Sequence, residues 1–195
     1  MGVISNGTTL LDAGAIDSGI PTGAMTLIKT ITASSSANVT FAHGASSVVL
    51  DNTYSTYLFK YIDVHGQTDN TDFQVNFRDG STAYDATKTS SFFYSYHNEG
   101  GSETGLVYYA DGDLAQGTGV QMLSGSNGAG NDEALSGEMF LYDPSSTTFV
   151  KHFIARDSYY HESNIAFDWY TAGYFNTTSA IDGVQFKFNS GNTDA

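Results

Sequence analysis

The sequence predicts an all-β protein: an antiparallel β-sandwich, jelly-roll-like, with about ten strands in one domain. Two observations carry this prediction. The chain of 195 residues contains 13 Phe, 13 Tyr and one Trp, which suit half-buried sheet surfaces. Its short apolar stretches are separated by Gly, Ser, Thr, Asn and Asp, which is typical of short strands joined by turns. No stretch predicts a helix of three turns.

An extended, irregular N-terminal arm (residues 1–23) is predicted ahead of the sandwich (residues 24–195), because glycine interrupts every run of the arm. Two interpretations of the arm remain open. It is either a free terminus or an assembly arm that docks on a neighbouring subunit. The second follows from its aliphatic side chains, since solvated tails carry fewer of them. Those side chains belong to Val3, Ile4, Leu10, Leu11, Ile16 and Ile20.

The first half of the sandwich contains the clearest alternation. Phe73, Val75 and Phe77 alternate with polar residues, which predicts a half-buried strand. The stretch 57–64 is apolar on both faces, with Leu58, Ile62 and Val64 on one of them, so it predicts a central strand or an interface. The other strands predicted here are Met25–Ile31, Asn38–Ala42 continued by Ser47–Leu50, Ser91–Tyr96, Leu106–Tyr109 and Val120–Leu123.

The second half contains a hairpin signal. Ser136–Tyr142 and Thr148–Arg156 alternate on either side of a turn at Asp143 and Pro144, where proline fixes φ and aspartate can cap the turn. The glycine-rich stretch Ser124–Asp132 predicts a loop. The last predicted strands are Phe167–Phe175 and Val184–Phe188.

The charge balance excludes several partners. Seven Lys and Arg stand against 21 Asp and Glu, so the formal net charge is −14. Such a chain repels phosphate backbones and anionic membranes, which predicts no nucleic acid and no membrane among its partners. Cysteine is absent, so the chain has no disulfide. Residues 1–24 contain neither a basic residue nor a continuous apolar run, so no signal peptide is predicted.

No pattern for a reaction emerges. The chain lacks a Gly-x-Ser-x-Gly elbow, and its five histidines do not have the spacing of a zinc helix. Asp111–Asp113 and Asp69–Asp72 are similar to pieces of calcium loops but lack the terminal bidentate Glu. Carboxylates are plentiful, yet sequence spacing in an all-β chain does not report the separation that a glycosidase pair needs. The sequence therefore predicts a protein that is not an enzyme, without catalytic residues, cofactor or metal site.

Seven aromatic residues are candidates for contacts with a partner. Tyrosine and tryptophan offer large rigid contact areas with a polar tip, which suit both subunit interfaces and sugar rings. Three uses remain open for them: core packing, a subunit interface and contact with a glycan. The candidates are Tyr94, Tyr96, Tyr108, Tyr109, Tyr159, Tyr160 and Trp169.

Nearly the whole chain resembles a family of short virion structural proteins common in tailed bacteriophages of marine and freshwater origin, including cyanophage-like ones. The opening Ile4–Ile16 is similar to the start of the family, and Leu50–Phe59 is similar to its strand entry. The most specific segments are Asp143–Phe153, Ala172–Asp182 and Phe186–Asn192. The family carries no catalytic residues to transfer.

The resemblance implies a non-enzymatic protein of the virion, made in the host cytoplasm and assembled on the particle surface as a homo-oligomer. Three-fold association with itself, together with contacts to other virion proteins, is the expected arrangement. A tail fibre or tail-associated module is the first expectation. The alternatives are a capsid decoration or head-fibre protein, and a lectin-like module that binds host surface glycans.

Overall fold

A computed structural model describes residues 2–12, 15–16 and 25–195. It divides the chain into two compact units, Met1–Thr30 and Ile31–Ala195. The described residues form β-strands and no helix, and every strand pairing is antiparallel. The predicted all-β sandwich is therefore confirmed.

The first unit contains a three-stranded N-terminal sheet formed by β1 (Val3–Ser5), β2 (Thr8–Asp12) and β3 (Ala15–Ile16). Asn6 and Gly7 join β1 to β2 with φ angles of 48° and 81°, both in the left-handed region. An Asn-Gly pair is the strongest short hairpin signal, because both residues tolerate positive φ. The hairpin was not predicted from the sequence, because glycine interrupts every run of residues 1–23.

The predicted strand Met25–Ile31 is wrong. No strand forms between residues 25 and 33, and the side chains of Met25 and Leu27 are 74% and 81% exposed. A segment with apolar alternation forms a strand only where a neighbouring strand pairs with its backbone, and the described part of the chain supplies no such pairing here.

The second unit contains eleven strands in the order of the chain. They are β4 (Val39–Ala42), β5 (Thr56–Gly66), β6 (Thr71–Arg78), β7 (Lys88–Asn98), β8 (Thr104–Tyr108), β9 (Gln121–Asn127), β10 (Leu135–Tyr142), β11 (His152–His161), β12 (Ile165–Phe175), β13 (Gly183–Phe188) and β14 (Thr193–Asp194).

These strands form two layers. The large sheet has the order β8-β7-β12-β11-β10-β5-β14, and the small sheet has the order β9-β6-β13-β4. The layers join where His161 of β11 pairs with Asn127 of β9. The chain crosses between layers several times, for example from β5 to β6 and from β12 to β13, so neither sheet can form without the other.

Aromatic rings from both layers meet in the core. Phe77 of the small sheet contacts Phe153 and Phe175 of the large sheet at ring-centroid distances of 5.2 and 4.6 Å. Tyr61 of β5 packs against Phe73 and Phe186 in the same way, at 5.3 and 5.7 Å. Because burying one such side chain stabilises the fold by about 1.5–3 kcal/mol, this contact between layers dominates the stability.

A β-bulge in β5 reverses part of the predicted alternation. Asp63 adopts a φ of 52°, and the pairing with β10 shifts register between Leu135 and Gly137. As a result Ile62 is exposed whereas Val64 is buried, although strict alternation predicts that they share a face. A bulge adds a residue on one strand and moves every later side chain to the other face.

The predicted hairpin is confirmed, with β10 and β11 paired from Leu135↔Tyr159 to Tyr142↔His152. The strand β11 begins at His152, four residues later than the predicted Thr148. The predicted loop Ser124–Asp132 is wrong over its first four residues, because β9 continues to Asn127. Ser124 and Asn127 are buried there, and the Asn127 amide donates to the Thr71 carbonyl at 2.8 Å.

Two buried lysines tie loops to the sandwich. The Lys151 ammonium donates hydrogen bonds to the backbone carbonyls of Ser146, Thr177 and Ser179. The Lys88 ammonium donates to the Asn76 side chain and to two backbone carbonyls. Three acceptors match the three donors of each ammonium, so the buried charge is compensated by hydrogen bonds alone.

Replacing Lys151 by Met should therefore destabilise the fold by about 2–4 kcal/mol, because three carbonyls lose a charged donor. Denaturant unfolding measures this loss. The matched control is Lys187→Met on the half-buried outer surface of β13, which should change the free energy of unfolding by less than about 0.5 kcal/mol. Equal effects of the two substitutions would show that the Lys151 hydrogen bonds do not stabilise the loops.

Candidate functional site

The outer faces of the two sheets differ in chemistry. Along each strand the residues between buried ones point away from the core. On the small sheet most of these outward residues are polar, such as Thr40, Gln74, Gln185 and Lys187, with Met122 opposite Gln74 as an apolar exception. Gln185 donates to Thr40 at 3.1 Å. This is the normal composition of a sheet face in contact with water.

The large sheet carries two outward rows with no Asp, Glu, Lys or Arg. They extend over five neighbouring strands, and Cα pairing places their members side by side. We call them the uncharged face. One row is Leu58, Phe140, Ile154, Ala172 and Ser91, and the other is Thr56, Tyr142, His152, Tyr174 and Thr89.

Large apolar side chains on the uncharged face remain in contact with water. Ile154 is 46% exposed, and the rings of Phe140 and Tyr142 stack at 6.2 Å. The chain that leads into β11 adds the exposed Phe149 and Val150. Five strands spaced about 4.8 Å apart give this patch an area on the order of 400 Å², a size at which exposed apolar patches often mark contact sites.

A shallow depression of about 620 Å³, open to solvent and lined by both polar and apolar side chains, crosses the other half of the same outer surface. Small side chains form its floor, including Ser95, Ser136, Ser158 and Ala166. We define the polar groove by these residues together with the flanking Lys60, Ile62, His97, Glu138, Arg156 and Asp168.

A fixed ion pair borders the polar groove. Arg156 donates to both carboxylate oxygens of Asp168, at 3.0 and 2.8 Å, and its guanidinium lies over the Tyr170 ring at 5.1 Å. The Tyr170 hydroxyl donates to Asp168 at 3.1 Å. The hydrogen bonds from Arg156 lower the pKa of Asp168, so this carboxylate stays ionised at neutral pH.

The seven aromatic candidates occupy different places. Trp169 and Tyr159 are buried, and the Tyr159 hydroxyl donates to the Gly125 carbonyl, which is the core-packing use left open by the sequence. Tyr94 and Tyr109 are half-buried against Trp169, and the half-buried Tyr96 stacks on Phe167. Tyr108 is exposed on β8 and its hydroxyl donates to Asp113. The half-buried Tyr160 donates to Asn164 at 2.8 Å.

The aliphatic residues of the arm are described only in part. Val3, Ile4 and Leu11 are exposed to solvent in the small N-terminal sheet. The backbones of Leu10 and Ile16 lie in β2 and β3, while their side chains and the whole of Ile20 lie outside the described residues. The exposed side chains leave both interpretations of the arm open.

One acid lies inside the sandwich. Asp157 of β11 is 0% exposed, and its carboxyl has no hydrogen bond of good geometry, as is also true of the Tyr61 hydroxyl that faces it. Burial raises the pKa of Asp157 well above its ordinary value. Gly137 makes room for the pair, because a side chain there would collide with the Asp157 carboxyl and the Tyr61 ring.

The stability of the protein should therefore fall with rising pH because of Asp157. The folded state keeps a proton that the unfolded chain releases above about pH 4, so the stability present below that pH is lost as pH rises toward the folded pKa. Asp157→Asn should remove this dependence and gain stability relative to the wild type by about 1.4 kcal/mol per pH unit within that window.

Denaturant unfolding at pH 4 and pH 7 measures the difference. The exposed Asp132→Asn is the control and should stay within about 0.5 kcal/mol of the wild type at both values. A free-energy difference between Asp157→Asn and the wild type that is the same at both pH values would contradict the buried, protonated acid.

Comparison with models of known protein families, with curated protein sequences and with solved structures finds no match to this chain. Among residues 2–12, 15–16 and 25–195, no group of three or more His, Cys, Asp or Glu is arranged to hold a metal ion. The same residues contain no helix with the length and hydropathy to cross a membrane.

Sequence reasoning missed the polar groove and the uncharged face. A signal for the groove was present in the predicted hairpin, because the pairing of β10 with β11 sets Glu138 opposite Arg156. The next strand then brings Tyr170 opposite Arg156 and Asp168 opposite Ser158. Strand order, which the sequence did not supply, was needed to see that these residues share one surface.

Proposed function

We propose that this protein is a non-enzymatic structural module of a bacteriophage particle that associates with copies of itself through the uncharged face. The observation that carries the proposal is the contrast between two outer surfaces of one molecule. The small sheet presents polar side chains to water, whereas the large sheet presents Leu58, Phe140 and Ile154 without a charge among their neighbours in the two rows.

Electrostatics favour a second copy as the occupant. Two chains with a net charge of −14 repel each other over most of their surfaces. The uncharged face lets two copies approach without bringing carboxylates together. In the row beside it, Lys60 and Arg156 lie next to Glu138, so the charges of that row largely balance and add little repulsion between copies.

The area of the uncharged face limits how strongly two copies can associate. The face covers on the order of 400 Å² on each copy. Part of that area belongs to polar side chains such as Thr56, Ser91 and His152, so burial of its apolar part contributes less than about 10 kcal/mol per copy, while association costs about 4–15 kcal/mol. A contact of this kind is favourable but modest. It suits a subunit that several contacts and a high local concentration hold in place on a particle.

The sequence resemblance to short virion proteins of tailed phages supplies the biological setting, with a tail fibre or tail-associated module as the first candidate. The exposed Val3, Ile4 and Leu11 of the N-terminal sheet offer a further apolar contact, with another copy or with a neighbouring virion protein. A contact between the uncharged faces of two copies has two-fold symmetry, so the three-fold homo-oligomer that we propose from the resemblance requires a second, different contact on each copy. Labelling of the protein on intact particles would distinguish tail association from decoration of the head.

Ile154→Glu should break the self-association, because each copy would bring a carboxylate into the apolar contact. Light scattering coupled to size exclusion, at micromolar protein concentration, should show the wild type as an oligomer and this variant as a monomer. The matched control is Leu106→Glu on β8, which introduces the same charge at a side chain that is 73% exposed but lies outside the uncharged face. It should leave the mass unchanged.

A monomeric wild type would overturn the proposal. Equal dissociation of the two variants would also overturn it, because the loss of the oligomer would then come from the added charge and not from its position on the uncharged face. Thermal unfolding of each variant checks that the fold is intact, and substitutions at such exposed sites should change the stability by less than about 0.5 kcal/mol.

A further inference from the structure

We propose that the polar groove is a binding site for a neutral, hydroxyl-rich glycan. The inference goes beyond the proposed assembly function and does not depend on it, because the polar groove and the uncharged face use different rows of the large sheet. The polar groove is shallow and open to solvent along its length, and its residues come from five neighbouring strands of one sheet, which suits an extended ligand lying on the surface.

The charge balance of the polar groove selects the class of ligand. Lys60 of β5 lies directly opposite Glu138 on the neighbouring strand β10. Arg156 forms its two hydrogen bonds with Asp168. Each cation therefore lies beside a carboxylate. A phosphate, sulfate or uronate would meet the carboxylates, and a polyamine would meet the cations, so an uncharged polar ligand suits this surface best.

The polar side chains match the hydrogen bonding of sugar hydroxyls. A guanidinium has five N–H donors, and the bonds to Asp168 use two of them. The Asp168 carboxylate accepts two hydrogen bonds from Arg156 and one from Tyr170, which leaves about one of its four lone-pair sites for a ligand. Adjacent hydroxyls of a sugar ring are both donors and acceptors, so one ring edge can bond to an arginine and an aspartate that lie side by side. Ser95, Ser136 and Ser158 place further hydroxyl groups along the floor.

The ion pair is held in place before a ligand arrives. The Tyr170 hydroxyl fixes Asp168, and the Tyr170 ring supports the Arg156 guanidinium at 5.1 Å. The Phe93 ring in turn stacks on the Tyr170 ring, with 4.9 Å between the ring centroids. A site whose side chains are already ordered loses less conformational entropy on binding, which matters for weakly binding ligands such as sugars.

Exposed apolar side chains at the ends of the polar groove suit the C–H faces of a sugar ring. Ile62, beside the bulge of β5, lies at one end. Leu106 of β8 pairs across the strands with Ser95 at the other. A ligand along the polar groove would therefore meet apolar contacts at both ends and hydroxyl groups between them, and the length of five strands favours an oligosaccharide over a single sugar.

An array of immobilised oligosaccharides tests the inference with the full-length protein. One set contains uncharged chains of glucose, galactose, mannose and N-acetylhexosamines, and a second set contains chains with uronic acid or sulfate groups. The wild type should bind members of the uncharged set. Ser158→Trp, which fills the floor, should weaken this binding by more than about tenfold. Arg156→Ala, which removes the guanidinium donors and the ion pair with Asp168, should weaken it by about tenfold.

The matched control is Gln185→Trp, which adds the same bulky ring to the outer face of the small sheet and should change binding by less than about twofold. No binding to uncharged chains, binding restricted to the charged set, or unchanged binding by both groove variants would each overturn the inference. Light scattering on the same samples separates this result from the assembly proposal, because the groove variants should keep the oligomeric mass of the wild type.

Discussion

The packing of the two inner sheet faces against each other is the contact on which the rest of the molecule depends. Aromatic rings of the two sheets meet in two groups: Phe73 and Phe186 contact Tyr61, and Phe77 contacts Phe153 and Phe175. Because the chain crosses repeatedly between the layers, this packing also fixes which strands become neighbours. It thereby decides which side chains are displayed together on the outer surfaces.

Polar groups inside this core follow two different physical rules. The ammonium groups of Lys88 and Lys151 each donate three hydrogen bonds, so their burial is compensated and the loops around them are tied down. Asp157 faces the neutral Tyr61 hydroxyl and no cation, and it avoids the cost of a buried charge by keeping its proton. Gly137 is required beside it because the carboxyl occupies the space that a side chain would need.

The fold class and most strands could be predicted from the sequence, because period-two alternation in segments such as Phe73–Phe77 depends on the strand itself. The hairpin β10–β11 could also be predicted, since a proline turn separates two alternating runs. The bulge at Asp63 could not, because a bulge depends on the partner strand. The exposed segment 25–31 has a strand-like composition, yet no strand forms where no neighbour pairs with it.

The candidate sites were less accessible to sequence reasoning than the fold. The seven aromatic residues chosen for partner contacts include Trp169 and Tyr159, which are buried, because composition alone does not distinguish a core ring from a surface ring. The uncharged face and the polar groove each combine residues from five strands. Their members become neighbours only through the strand order of the large sheet, which one sequence does not specify.

The proposed function requires that another copy covers the charge-free outer half of the large sheet. A structure of the assembled protein in solution, determined by electron cryomicroscopy, tests this directly. It should show Ile154, Phe140 and Leu58 buried between copies of the chain, with the polar groove open to solvent. An assembly in which these three side chains face water, and copies meet through the polar surface of the small sheet, would contradict it.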